Sequence, residues 1–175
     1  MRPLGVARLV RGQREVCSVR VYRGMPSSER DPKGFGACQR QVAQWESNSI
    51  TVVTRPLNYR EASRPREKGI DVHLAIDLVM GAMRNEYDVA VLFSADTDLL
   101  PAVEAVLQIK GAGSVEFAAW LPDDGRPANR LRAPDPSGVP VWCHLLRRID
   151  YERAVDVTDY TRKPRRDRRP PPSGS

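Results

Sequence analysis

Three aspartates, Asp71, Asp96 and Asp98, are the residues of this chain best placed to do chemistry. They lie in two short motifs, Glu67-Lys68-Gly69-Ile70-Asp71 and Ser94-Ala95-Asp96-Thr97-Asp98. Three carboxylates brought within about 5 Å of one another repel by roughly 3 kcal/mol per pair at an effective dielectric of ~20. A proton or a hard cation relieves that repulsion. Mg²⁺ or Mn²⁺ takes oxygen ligands, keeps several waters and binds through one or two carboxylates plus the phosphates of a substrate. Such an ion orients a water and stabilises the leaving oxygen of a phosphodiester. Each aspartate also has a plainer use. Asp96 or Asp98 at a strand-to-helix junction can cap the helix, and Asp71 just inside a helix start can complement its dipole. Taken singly, both readings stay open. The three together, at the ends of adjacent elements, favour the metal site.

The elements that must position these acids follow from the patterning. Residues 69–85 have the strongest helical signal, with apolar positions on more than one stripe (Ile70, Leu74, Leu78 and Val72, Ala75, Val79), so this helix packs on two sides. Residues 88–93 are continuously apolar after Asp88, as in a central parallel strand covered on both faces. Residues 98–110 form a helix with Pro101 in its first turn, where a missing N–H costs little. Gly111-Ala112-Gly113 ends it, and residues 115–121 form the next strand. Earlier in the chain, 4–10 reads as a short helix or strand, 16–22 as a strand, 24–36 as a loop, 37–47 as a helix, 50–55 as a strand, and 58–67 as a polar loop. Later, 128–132 reads as one helical turn, and 140–149 as helical in its second half.

Helices alternating with apolar strands predict an α/β fold with a mostly parallel sheet. Ligands of such sheets sit at the carboxyl ends of the strands, which is where Asp96 and Asp98 fall. Asp77 lies about 120° round its helix from Asp71 and reads as a structural carboxylate. Asp123 reads as a turn residue. Trp45, Trp120 and Trp142 read as packing residues.

Composition sets outer bounds. The chain has 175 residues, 41% apolar, enough for one domain with a real core. No apolar run of about 18 residues is present, so no transmembrane helix is expected, and no signal-peptide pattern opens the chain. Three widely spaced cysteines, Cys17, Cys38 and Cys143, predict reduced thiols and a cytoplasmic setting. His73 and His144 are too scattered for zinc, and no nucleophile motif occurs. The net charge of +6 is uneven: residues 162–175 hold six Lys/Arg against one acid, so +5 belongs to that segment. This Arg/Pro-rich stretch is expected to be a disordered tail from residue 161 onward, either adding phosphate affinity or serving only solubility.

Lys68-Gly69-Ile70-Asp71-Val72, followed by Tyr87-Asp88-Val89-Ala90-Val91-Leu92-Phe93-Ser94-Ala95-Asp96-Thr97-Asp98-Leu99-Leu100-Pro101, resembles the NYN domain, a branch of the PIN-like nucleases. The likeness is specific from about residue 67 to 106 and weaker over 16–54 and 115–121. It implies a three-layer sandwich with a mostly parallel sheet over residues 1–160. It further implies a metal-dependent ribonuclease with Asp71, Asp96 and Asp98 as the acidic Mg²⁺ or Mn²⁺ positions and RNA as partner. Ser94 or Thr97 would assist through hydroxyl or backbone contacts, and Lys68 would meet a phosphate or remain an ordinary solvated lysine. One departure stands out. The family's first strand lies mid-sheet in the order 3-2-1-4-5 and ends in an Asp, whereas residues 16–22 correspond to its second strand. A missing strand leaves a gap of nearly 10 Å between its neighbours. Residues 4–10 cannot fill it, because a parallel crossover needs about a dozen residues. The expectation is therefore a domain incomplete at its N-terminus: a start upstream of Met1, or a degenerate, non-catalytic module that binds RNA or protein. A homo-oligomer is left open.

Overall fold

The computed structural model describes residues 1–59 and 65–162. Helix α1 (Pro3–Val10) is followed by β1 (Arg20–Met25), α2 (Pro32–Glu46), β2 (Thr51–Pro56), α3 (Ile70–Met83), β3 (Ala90–Leu92), α4 (Leu100–Lys110), β4 (Val115–Trp120), β5 (Cys143–Leu146) and α5 (Arg148–Ala154). A single 3₁₀ turn, Thr97–Leu99, leads into α4. All strand pairings are parallel, as expected of strands joined by helical crossovers.

The strands form two sheets, β1-β2 and β3-β4-β5. One three-layer sandwich with a vacant central slot was expected, and the break falls at that place, between β1 and β3. Val19, just before β1, and Met25 at its end accept the N–H groups of Thr51 and Leu57 on the β2 side. Strand alternation then turns the N–H and C=O groups of Arg20, Tyr22 and Gly24 toward the opposite, open edge. Side chains, not a ladder, tie the two sheets together. Arg20 reaches Glu86, in the turn before β3, at 2.9 Å. The Tyr22 hydroxyl donates to Asp77 of α3 at 2.8 Å. Asp77 thus has the structural role expected of it.

The main core lies between α3, α4 and the β3-β4-β5 sheet. Leu99, Val103, Val106, Val115, Phe117 and Leu131 are its largest fully buried side chains. Burying each stabilises the fold by about 1.5–3 kcal/mol. On the other sheet face, α1 packs Val6, Leu9 and Val10 against Val91, Ala118, Trp120 and Leu146. The Arg2 N–H donates to the Ala154 carbonyl at 2.7 Å, which docks α1 on α5. Helices therefore cover both faces of this sheet.

Several sequence expectations change. Residues 4–10 are helical. The first strand begins at Arg20 rather than at 16 and runs to Met25, into the expected loop. Helix α2 begins five residues early, because Asp31 caps it (its Oδ1 accepts from the Gly34 N–H at 2.8 Å) and Pro32 fills its first position. Residues 128–132 make no helical turn. Leu131 and Ala133 are drawn into the core instead, and Val141 N–H bonds the Ala133 carbonyl at 2.9 Å. Of the stretch 140–149, expected to be helical in its second half, Arg148 and Ile149 open α5, but residues 145 and 146 belong to edge strand β5. Its partner β4 offers a free ladder, and Phe117 N–H donates to Trp142 O at 2.8 Å. Trp142 is no packing residue: it is 67% exposed. Most of the expected tail, from residue 163, and residues 60–64 of the polar loop lie outside the described residues.

Candidate metal centre

Parallel strands bring their carboxyl ends to one side of the molecule, and the acids collect there. Asp71 stands in the first turn of α3, exposed. Gly69 immediately before that helix has φ +74°, a left-handed conformation that side-chain-bearing residues rarely adopt. It turns the chain sharply into α3. Past β3, Asp96 adopts an extended backbone, and its Oδ1 accepts the Asp98 N–H at 2.9 Å. The Asp96 N–H in turn donates to Ser94 Oγ at 3.1 Å. The capping role considered for Asp96 is therefore real, and it also holds the carboxylate in place. Asp98 lies within the 3₁₀ turn and is exposed.

Asp71 feels the other acids. Burial first, then the charges of Asp96, Glu67 and Asp98, hold the Asp71 carboxyl above its usual range. Like-charge proximity of this kind disfavours ionisation. Glu67 of the same motif adds a fourth carboxylate to this end of the molecule. Its Oε1 accepts the Gly24 N–H at 2.6 Å, so it occupies a donor on the open edge of β1 while its charge acts on Asp71. A Cβ at Gly24 would stand 2.2 Å from Leu57 and 2.9 Å from Glu67, so only glycine admits both. The position of Glu67, just before the start of α3, was the signal available in the sequence. Of the remaining expected residues, Ser94 joins Asp96. The Lys68 ammonium and Thr97 hydroxyl make no hydrogen bond to these acids among the described residues. Asp123 sits in an exposed turn, as expected.

Among the described residues, no three His, Cys, Asp or Glu side chains are grouped so as to hold a metal ion. The donor chemistry nonetheless fits a hard divalent ion: oxygen donors, mutual repulsion and solvent access. An ion of that class needs only one or two carboxylates from the protein. Asp71, Asp96 and Asp98 are the residues that would hold it.

No curated protein and no solved structure gives a match. A family model, the NYN domain, matches residues 3–124. That span contains α1 through β4 and every candidate acid. With an α/β fold of parallel strands beneath it, this chain belongs to the NYN domain family.

Proposed function

We propose that this domain is a ribonuclease that hydrolyses RNA phosphodiesters with Mg²⁺ or Mn²⁺ held by Asp71, Asp96 and Asp98. The observation that supports the reading is the placement of Asp71 in the first turn of α3 and of Asp96 and Asp98 in the turn after β3, with the Asp71 carboxyl raised by burial first and then by the charges of Asp96, Glu67 and Asp98. A divalent ion at these carboxylates would supply charge neutralisation and Lewis acidity toward a phosphate. The chain's own part is positioning. Ser94 and the 3₁₀ turn fix Asp96, and Gly69 starts α3 where Asp71 faces it. Glu67 ties that start to β1. The Arg55 guanidinium lies beside Gly69, with Nη1 3.6 Å from where a Cβ would stand. Arg55 and Lys68 would be the cations that meet a phosphate next to the acids. Three free thiols suit a reducing, cytoplasmic setting.

The second reading is a non-catalytic module that binds RNA or protein through a degenerate site. It is favoured by the open edge between the two sheets, which leaves no strand there to add a carboxylate among the described residues. Incubation of purified protein with RNA in Mn²⁺, in EDTA, and as Asp98→Asn separates the two. Cleavage lost in both EDTA and the variant supports the nuclease. Cleavage that survives both rules out the metal mechanism, and tight binding without cleavage favours the module.

A further inference from the structure

Beyond the acids, along the carboxyl ends of β3 and β4, three aromatic rings follow one another. Phe93 meets Trp120 edge-on, with centroids 5.6 Å apart and planes at 65°. Trp120 meets Tyr151 of α5 at the same 5.6 Å and 79°. Phe93 is 41% and Tyr151 46% exposed. Trp120 is mounted rigidly, because the α1 cluster of Val6, Leu9 and Val10 packs against it. Each edge-to-face contact covers one ring face and fixes both rings, and the exposure of Phe93 and Tyr151 leaves ring surface open to solvent. Two open cavities flank the tryptophan. The first, of about 310 Å³, is lined by Phe93, Ser94, Trp120 and Asn129. The second, of about 430 Å³, is lined by Trp120, Asp123, Arg147, Arg148 and Tyr151.

We propose that this aromatic ridge is a track for single-stranded RNA, with bases inserted on either side of Trp120 and the strand running onto the acidic site. This rests on the ribonuclease reading above and names how its substrate is held. The first cavity opens beside the acids, since Ser94 both lines it and accepts the Asp96 N–H. Every base has a π-face, so rings on a groove wall hold a strand without selecting sequence. Only unpaired bases can splay out to such rings, so an A-form duplex does not fit. Asn129 in the first cavity offers an amide to a base edge. Charge supports a polyanion at the far end. Arg147 makes no ion pair among the described residues, which frees its guanidinium for a phosphate. Arg148 is already shared between Glu152 at 3.1 Å and Asp123 at 3.9 Å, so Arg147 is the cation assigned to the phosphate.

The test is fluorescence anisotropy of a labelled oligouridylate with the full chain in EDTA, so that metal binding and cleavage do not enter. Tyr151→Ala, on an exposed position, should weaken binding about 5- to 150-fold, the cost of one lost stack. Trp120→Leu should do at least as much. Circular dichroism checks its fold, and Phe93→Leu repeats the measurement without touching the α1 contact. Arg147→Ala should lower the salt slope by about one. Unchanged affinity in Tyr151→Ala and Phe93→Leu overturns the track. Equal or tighter binding of duplex RNA also overturns it, and equal binding of single-stranded DNA removes RNA as its specific occupant. Ridge-dependent binding in a chain that never cleaves leaves the track standing and sinks only the nuclease reading.

Discussion

The β3-β4-β5 half and the β1-β2 pair are built on different physics. In the first, apolar strands lie between helices on both faces, and Phe117, Val103 and Val106 are completely inaccessible. In the second, β2 has no buried residue and β1 buries only Gly24. The pair is attached through polar ties: Arg20 to Glu86, Tyr22 to Asp77, and the Gly24 N–H to Glu67. Burial pushes the Tyr22 phenol up to about 12, with Asp77 adding to the shift, so it remains a donor across the accessible pH range. The acids divide along the same line. Asp96 and Asp98 ride on the packed half, whereas Glu67 hangs from the polar-tethered one. Asp71 rides with them on the packed half, because α3 belongs to its core, so only the placement of Glu67 relative to the three aspartates is set at the weaker seam.

The largest expected effect tests the packed half. Phe117→Ala should cost about 3–5 kcal/mol in chemical denaturation, while Val53→Ala in half-buried β2 should cost under ~1 kcal/mol. Similar losses at the two positions would erase the contrast. Next comes Glu116, whose carboxylate receives Arg14 at 2.7 Å and His144 at 2.7 Å. Burial alone would raise its pKa. The hydrogen bonds from Arg14 and His144 outweigh burial and hold it below the usual range. A depressed folded pKa gives stability that is present above the unfolded value and lost as pH falls through the folded one. Glu116→Gln should therefore lower stability at neutral pH and flatten the acid limb of a melting-temperature profile. An unchanged acid limb would assign acid sensitivity elsewhere.

Tyr22→Phe removes one tie at the seam and should cost about 0.5–1.5 kcal/mol. Amide exchange should quicken in β1 and β2 while β4 stays protected; uniform quickening would mean that the halves open together. The smallest effect has the opposite sign. Asp71 has a raised folded pKa, so its ionisation disfavours the fold as pH rises above the unfolded value. Asp71→Asn should slightly raise the melting temperature at neutral pH without metal. Mn²⁺ should raise that of the parent chain more than that of the variant. A variant melting lower in EDTA would remove repulsion as the organising feature of the site.

Periodicity carried far in the well-packed half. The helix over 69–85, the runs 88–93 and 115–121, and the glycine stop after Lys110 all match observed elements to within a few residues, because both faces of those elements are apolar. It placed the start of the last helix too early, because residues 145 and 146 fall in β5 (Cys143–Leu146). Four residues that suit either strand or helix become a strand only because β4 presents an unpaired ladder. It failed likewise at 128–132, where Leu131 is captured by a core that local pattern does not reveal. Trp142, an aromatic counted toward packing, is left outside by the same edge.

Residue type and spacing were enough to determine the lineage and the α/β class, and to single out the three aspartates as candidates. These depend on local caps, turns and hydrophobic runs, which short stretches of chain encode. Tertiary structure alone decided that the strands fall into two sheets, that Glu67 joins the acids through the Gly24 N–H, and that Phe93, Trp120 and Tyr151 meet in one ridge. Each of these joins residues far apart in sequence, and only packing of the whole chain brings such groups within a few ångströms.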